Sequence, residues 1–273
     1  MKDSHPLNND PVYLRKYQYQ DAANLEARIA IHKRFSTGKS EWNDFVFDLL
    51  ELREGMRVLE LGSGSGALWR VILGRLPDEL TIFLSDFSLG MATQAVAGLT
   101  PDPRFHVLCQ DAMALVFPPR SVDLVIANHM LYHVASRGLA IANISRVLCS
   151  GGRLVCATNG PGHMRDLDEL LAEFEPAYRG MHAMSSSFNL ENGEEQLRPH
   201  FALVELVMYP SDLWVTDAAM LAAYAYSTPL VKATISRARQ QDMMDFFQQR
   251  IAQDGGIAIR KQTGLFLASK PLD

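Results

Sequence analysis

The most constraining stretch of this sequence is an aliphatic run that stops at three closely spaced glycines, Arg57-Val58-Leu59-Glu60-Leu61-Gly62-Ser63-Gly64-Ser65-Gly66. A strand entering such a turn, with a helical pattern beyond it, lets the backbone approach a ligand closely and aims helix N–H groups at it. The chain then repeats the unit. Strand patterns fall at 80–84, 105–109, 122–127 and 153–157, and helical spacing falls at 67–76, 91–99 and 136–148, the last closed by Gly151-Gly152. The run at 122–127 is almost wholly apolar, as expected of a strand buried on both faces. Strands alternating with helices imply a parallel sheet with right-handed crossovers.

The flanks are organised differently. Residues 1–20 are polar and tyrosine-rich (Tyr13, Tyr17, Tyr19) and read as an arm. A helix is expected from Asp21 with Leu25, Ile29 and His32 or Lys33 along one face, then a second over 41–50 ending near Gly55. Beyond Asn159 a helix is expected over 163–178 and a loop from 185, with a capping box at Asn192-Gly193-Glu194-Glu195. Strands at 201–209 and 264–269 are placed to pair antiparallel. Two helices between them, 216–227 and 234–254, end at Gly255-Gly256 and form an insertion of about 211–256. The expected division is a helical arm or cap over 1–54 and a main domain over 55–273 that carries the insertion.

Composition removes several classes. With 26 basic and 31 acidic residues the net charge is −5, which argues against a chain built to grip nucleic acid. No window of about 18 uninterrupted apolar residues occurs, and the first residues lack the apolar core of a signal peptide. Cys109, Cys149 and Cys156 have no metal-site spacing and read as small buried hydrophobes in a reducing cytoplasm.

The glycine turn alone is ambiguous. Gly62-x-Gly64-x-x-Ala67 also satisfies a dinucleotide fingerprint, and Asp86, 22 residues beyond Gly64, would bind ribose in either case. Three features discriminate. Glu60 stands directly before the loop, where a pyrophosphate would meet negative charge and a cation would not. Asp111, after the third strand, offers an acceptor to an exocyclic amine. The fourth strand delivers Asn128-His129-Met130-Leu131-Tyr132-His133 to the carboxyl edge, where α/β sheets bind ligands. Acids at three successive strand ends suit an adenosyl group joined to a sulfonium amino acid.

On these residues the chain resembles the class I S-adenosylmethionine-dependent methyltransferases, in particular the small-molecule group that includes the ubiquinone/menaquinone methyltransferases. Residues 58–66 resemble that family's first motif, and Asp86-Phe87-Ser88-Leu89-Gly90-Met91 its acidic second-strand motif. Gln110-Asp111-Ala112 is similar to its adenine turn. Val122-Asp123-Leu124-Val125, residues 128–133 and residues 146–154 resemble its fourth- and fifth-strand motifs. The likeness spans about 58–158 in order. It implies a Rossmann-like fold with a seven-stranded, mostly parallel sheet whose last strand is antiparallel, extended by an N-terminal helical arm and a helical lid.

The resemblance also implies roles. Gly62, Ser63, Gly64 and Gly66 cradle the methionine part, Glu60 reaches its amino end, and Asn128 and His129 lie beside it. Asp86 takes the ribose hydroxyls, with Phe87, Ser88 and Met91 around the nucleoside. Asp111, Ala112 and Met113 hold the adenine. His133 is the expected general base, although the family's frequent aspartate two residues later is Ala135 here. Tyr17 would close over the cofactor, with Arg28 or Arg34 near its carboxylate. Tyr132, His163, Met164, Trp214 and Tyr224 are expected at the acceptor. Trp214, Met220, Tyr224, Tyr226, Met243, Met244, Phe246 and Phe247 form an apolar stripe that reads first as core and second as the inner face of a lid.

No metal site is expected, because Asn128 and Thr158-Asn159 occupy the positions where metal-dependent members place carboxylates. The implied protein is a cytoplasmic monomer or homodimer that methylates an O, N or C atom of a small, apolar or aromatic molecule, independent of membrane and nucleic acid. A methyltransferase acting on macromolecules, a nicotinamide-dependent oxidoreductase and a non-catalytic cofactor binder are the alternatives.

Overall fold

The computed structural model describes residues 23–99, 102–180 and 187–271, so Tyr17 and the rest of the arm lie outside the described residues. Helices α1 (Ala23–Phe35) and α2 (Trp42–Leu50) precede β1 (Arg57–Leu61). Then follow α3 (Ala67–Ile72), β2 (Thr81–Asp86), α4 (Leu89–Leu99), β3 (Phe105–Cys109), β4 (Val122–Ile126), α5 (Arg137–Val147) and β5 (Leu148–Asn159). The remainder is α6 (Arg165–Phe174), α7 (Gly193–Leu197), β6 (Phe201–Met208), β7 (Leu213–Val215), α8 (Ala218–Ser227), α9 (Pro229–Thr234), α10 (Gln240–Asp254), β8 (Ile257–Ile259) and β9 (Thr263–Pro271).

The seven-stranded sheet runs β3-β2-β1-β4-β5-β9-β6. Pairings from β3 through β5 are parallel, while β9 runs antiparallel to both neighbours, with Val155 opposite Leu267 and Val207 opposite Leu265. Strand order reverses between β1 and β4. Their carboxyl ends therefore open a crevice, with the glycine turn on one side and residues 128–133 on the other.

Alternate residues of each strand feed opposite faces. Val58, Ile82, Leu84, Leu124 and Ile126 meet Val46 and Leu50 of α2, Trp69 of α3 and Leu99 of α4. Leu59, Leu61 and Val125 meet Ile141 and Ile144 of α5 together with Phe188, Leu197 and Phe201. A third core lies off the sheet: Ile31 and Phe35 of α1, Leu167 and Leu171 of α6, and Leu221, Met243 and Phe247 of the insertion. The methionine and aromatic stripe is thus core: Tyr224, Tyr226, Met243 and Phe247 are buried, and Met220, Met244 and Phe246 pack against them.

Several local expectations change. On α1 the inward face is Ile31 and Phe35, and Ile29 is 45% exposed, because the insertion supplies apolar partners to that side only. The helix expected at 163–178 begins at Arg165 and ends at Phe174, since Met164 takes a left-handed φ of 61°. Gly151-Gly152 does not close α5 but sits inside β5. Pairing there jumps from Val122–Leu148 to Leu124–Arg153, and a Cβ on Gly152 would stand 3.0 Å from the Cys149 carbonyl oxygen. This is a bulge that only glycine fits easily. Asn192 does not form its capping box; its Oδ1 accepts from the Asn189 N–H and the Gln196 amide.

An additional helix, α9, lies between the two expected insertion helices, with Thr228 as its cap and Pro229 in its first turn, and the helix expected from 234 begins at Gln240. The insertion is also stapled by the short ribbon β7–β8, three residues a side and too brief to show a period. Of the cysteines only Cys156 is buried; Cys149 is half-buried and Cys109 exposed, and all three are free thiols. Among the described residues no helix is long and apolar enough to cross a membrane.

Because α1 and the insertion share one core, truncating Phe247 should loosen both. Phe247→Ala is expected to cost about 3–5 kcal/mol in denaturant unfolding. Amide exchange should accelerate in α1 as well as α10, and an α1 left fully protected would contradict the shared core.

Candidate cofactor and acceptor site

The glycine turn is held from below by β2. The Asp86 carboxylate accepts the Gly64 N–H at 2.9 Å through one oxygen and the Ser88 N–H at 2.7 Å through the other. The Ser63 N–H reaches the Ser85 carbonyl at 3.0 Å. Gly62 and Gly64 take left-handed φ values of 67° and 56°, where a side chain is strained. The two differ in surroundings. A Cβ at Gly62 would meet Met130 Cβ at 2.8 Å, whereas at Gly64 nothing lies within 4 Å. Gly62 is small to let β4's loop close against β1, and Gly64 leaves its outer side open. Burial raises the Asp86 pKa, and N–H bonds from Ser88, Gly64 and Phe87 pull it back.

Glu60, 4% exposed, accepts the Trp69 indole N–H at 2.6 Å. Burial lifts its pKa to about 7; the Trp69 bond opposes that rise and the nearby Asp86 charge adds to it. Asp111 forms a turn through Oδ1 and the Met113 N–H at 2.8 Å, and Ala112 is buried beside it. The Met113 carbonyl is tied to the Asn143 amide at 3.0 Å. Phe87, Ser88, Leu89, Gly90 and Cys109 line a shallow groove next to this turn. Met91 is buried at the start of α4.

Three buried polar atoms have no partner among the described residues: Ser63 Oγ, Gln110 Nε2 and Asn128 Oδ1. They belong to the loops after β1, β3 and β4. Buried polar groups are nearly always bonded, so orphans at three strand ends of one crevice fit a ligand with polar atoms along its length. An adenosyl group joined to an amino acid is such a ligand.

Beyond β4, Asn128 is followed by His129, whose left-handed backbone (φ 53°) donates to the Ala157 carbonyl at 3.0 Å. Its ring lies 5.4 Å from that of Trp42. Tyr132 and His133 occupy a single helical turn with rings 4.5 Å apart. Beyond β5, His163 Nδ1 accepts the Gln262 N–H at 3.3 Å and faces Thr263 Oγ1, which bonds Asn159 Oδ1 at 2.8 Å. His32 of α1 stands 6.4 Å from His163 and edge-on to Tyr224 at 5.8 Å. Lys261 Nζ donates to Ser36 Oγ at 3.0 Å and lies 4.9 Å above the Tyr209 ring.

Burial pushes these bases toward neutrality; neighbouring positive charges add to it at the three histidines, while Asp212 opposes it at Lys261. His32 falls to about 3, His129 to about 4, His163 well below its ordinary value, and Lys261 to about 8.

His163 and Tyr224 therefore reach one cluster, whereas two other expected acceptor residues do not. Met164 is 1% exposed inside the insertion core. Trp214 lies over Gly256 in an outer groove with Asp166, Glu173 and Arg250. The arginines expected near the cofactor carboxylate instead anchor α1 to the insertion. Arg28 bonds Ser227 Oγ and its carbonyl oxygen, and Arg34 pairs with Asp217 at 3.8 Å. Sequence reasoning missed Trp42, Tyr209 and Lys261 as site residues and saw His32 only as part of a helix face. Among the described residues no group of three or more His, Cys, Asp or Glu is placed to hold a metal ion.

This strand order and antiparallel β9 define an α/β fold of the class I methyltransferase type. Residues 59–156 match the family described as "Methyltransferase domain". Through this segment the chain is similar to the class I S-adenosylmethionine-dependent methyltransferases, and its curated relatives are ubiquinone/menaquinone C-methyltransferases. The ubiquinone/menaquinone biosynthesis C-methyltransferase of Dinoroseobacter shibae is 31% identical over 116 residues, 42% of this chain and 46% of that one. Its counterpart in Xanthomonas oryzae pv. oryzae is 28% identical over 141 residues, 50% and 53% of the two chains. The chain thus spans about half the length of the curated relatives it matches.

Solved structures extend the likeness in fold alone. Haemonchus contortus phosphoethanolamine N-methyltransferase 2, solved with phosphomonomethylethanolamine and S-adenosylhomocysteine, has a TM-score of 0.61 at 20% identity and covers 97% of this chain and 60% of that one. The [4+2]-cyclase SpnF has a TM-score of 0.57 at 18% identity over 95% and 97%.

Two measurements bear on this site. Asp86→Asn removes the charge that fastens Gly64 and Ser88, and is expected to weaken S-adenosylmethionine binding at least tenfold in calorimetry. Glu60 supplies a pH test. Its pKa rises from 4.5 to about 7 on folding, so its stabilisation is present below the lower value and lost as pH climbs through that window. The ionised form then costs on the order of 3 kcal/mol. Glu60→Gln should remove this slope, and its stability relative to wild type should be higher at pH 8 than at pH 5 in denaturant unfolding.

Proposed function

We propose that this chain transfers a methyl group from S-adenosylmethionine to a small-molecule acceptor bound over the carboxyl ends of β4 and β5. The observation that carries this reading is the seating of Met130 against Gly62. It sets the acid-tethered glycine turn directly beside a turn rich in bases. When bound, the cofactor supplies a methyl already activated by a sulfonium, and catalysis is then mostly a matter of holding the acceptor close and in line.

The chain's own residues supply three things. The loop from Gly62 to Gly66, with Ser63, Glu60 and Asn128, holds the amino-acid end. Asp86, Phe87, Ser88 and Met91, with Asp111, Ala112 and Met113, hold the nucleoside. His133, on the turn after β4, takes the acceptor's proton. His129 and His163 are kept neutral by burial and are weak bases, so they line the wall as uncharged hydrogen-bonding groups and leave the proton transfer to His133.

The curated relatives are named for C-methylation in quinone biosynthesis. The family match ends at 156, before His163, Tyr224 and Lys261, so the acceptor is set by residues outside that match. The SpnF neighbour is a cyclase, and a fold hosts more than one chemistry. The test is direct: incubation with S-adenosylmethionine and a metabolite mixture should yield S-adenosylhomocysteine and a product heavier by one methylene. His133→Gln should lower kcat about 10²–10⁴-fold with cofactor affinity unchanged; an unaltered rate would place the base elsewhere.

A further inference from the structure

We propose that His32, His129, His163 and Lys261 form an oxyanion-binding subsite, so that the acceptor carries a carboxylate or phosphate group. The inference rests on the reading that the acceptor lies over β4 and β5, and it replaces an uncharged apolar substrate with a small anion.

Four basic side chains arrive from four separate segments: α1, the turn after β4, the loop after β5 and the turn between β8 and β9. No local motif requires them together. The His32 and His163 rings are 6.4 Å apart, and His129 and Lys261 are near enough for their charges to act on both. Aromatic rings flank the group, with Trp42 beside His129, Tyr224 edge-on to His32 and Tyr209 under Lys261.

The charges facing the cluster are few. Asp212 acts on Lys261, but its side chain is exposed and accepts the Lys261 backbone N–H at 2.8 Å. Asp168 is bonded to the Tyr178 hydroxyl at 2.7 Å, and Arg28, beside Tyr224, is bonded to Ser227. Glu41 acts on Tyr209, and His133 on His129. Among the described residues no carboxylate pairs with any of the three histidines or with the Lys261 ammonium.

Donors are available in the right number. Lys261 has three N–H bonds, one of them given to Ser36. Because the Gln262 N–H points at His163 Nδ1, the neutral ring carries its proton on Nε2. His32 and His129 each supply one N–H when neutral and two when charged. Among the described residues these half-buried bases, whose charge burial and mutual repulsion suppress, have no paired carboxylate, and an oxyanion would supply the counter-ion. Its arrival raises the affinity of the histidines for protons, so binding should take protons up.

The experiment uses the full chain saturated with S-adenosylhomocysteine, titrated calorimetrically at pH 7 and fixed ionic strength with inorganic phosphate and, separately, with acetate. Two buffers of different ionisation heat read proton uptake. At least one probe is expected to bind saturably with net uptake. Lys261→Met should weaken it tenfold or more and Lys261→Arg should restore it, with S-adenosylhomocysteine affinity unchanged in both variants. Phosphate alone marks a phosphorylated acceptor and acetate alone a carboxylated one. Saturable binding of neither probe, or binding unaltered by Lys261→Met, would overturn the inference. Failure to bind S-adenosylhomocysteine would instead sink the methyltransferase reading beneath it.

Discussion

Everything in the cofactor half depends on one carboxylate. Asp86 ends β2, and its two oxygens hold backbone N–H groups on either side of it, Gly64 in the glycine turn and Ser88 at the entry to α4. A left-handed turn is poorly determined by its own residues, because glycine visits many conformations. Two charge-assisted bonds from a half-buried acid remove that freedom. The turn is thereby fixed to β2 as firmly as to β1, and Met130 can seat on Gly62 to bring the β4 side into register.

The crevice is electrically two-sided. Glu60, Asp86 and Asp111 close the ends of β1, β2 and β3, while His129, His163, His32 and Lys261 gather over β4, β5 and the start of β9. The sheet's switch point divides the two sets. Carboxylates on one side favour a cationic centre, while the other side offers neutral imidazoles and a single ammonium, so the two sides of the reversal differ in the chemistry they can hold.

This division also explains what could be read from the sequence. Strand ends that stop at Gly62, Asp86, Asp111 and Asn128 are local signals, each written within a few residues, and they yielded the order of β1 to β5. The antiparallel pairing of β6 and β9 was legible for the same reason, as two apolar runs with polar flanks. The acceptor side was not. His32 and Lys261 are separated by nearly the whole chain and meet only because a third core folds α1 onto the insertion. Trp214 looked like a pocket aromatic by its type, yet strand alternation turns Leu213 and Val215 inward and Trp214 outward. The bulge at Gly152 misled in the opposite direction, since a glycine pair after a helical run is the ordinary sign of a helix end.

The bond from Arg28 to Ser227 closes a separation of 199 residues. During synthesis the sheet strands through β5 can assemble as they emerge, their contacts being mostly near neighbours in the chain. α1 is made long before the insertion, and until the insertion leaves the ribosome only α6 of that third core can meet it. The helix is therefore among the last to find its full packing, and until then much of its apolar side, Ile31 and Phe35, lacks its partners in the nascent chain.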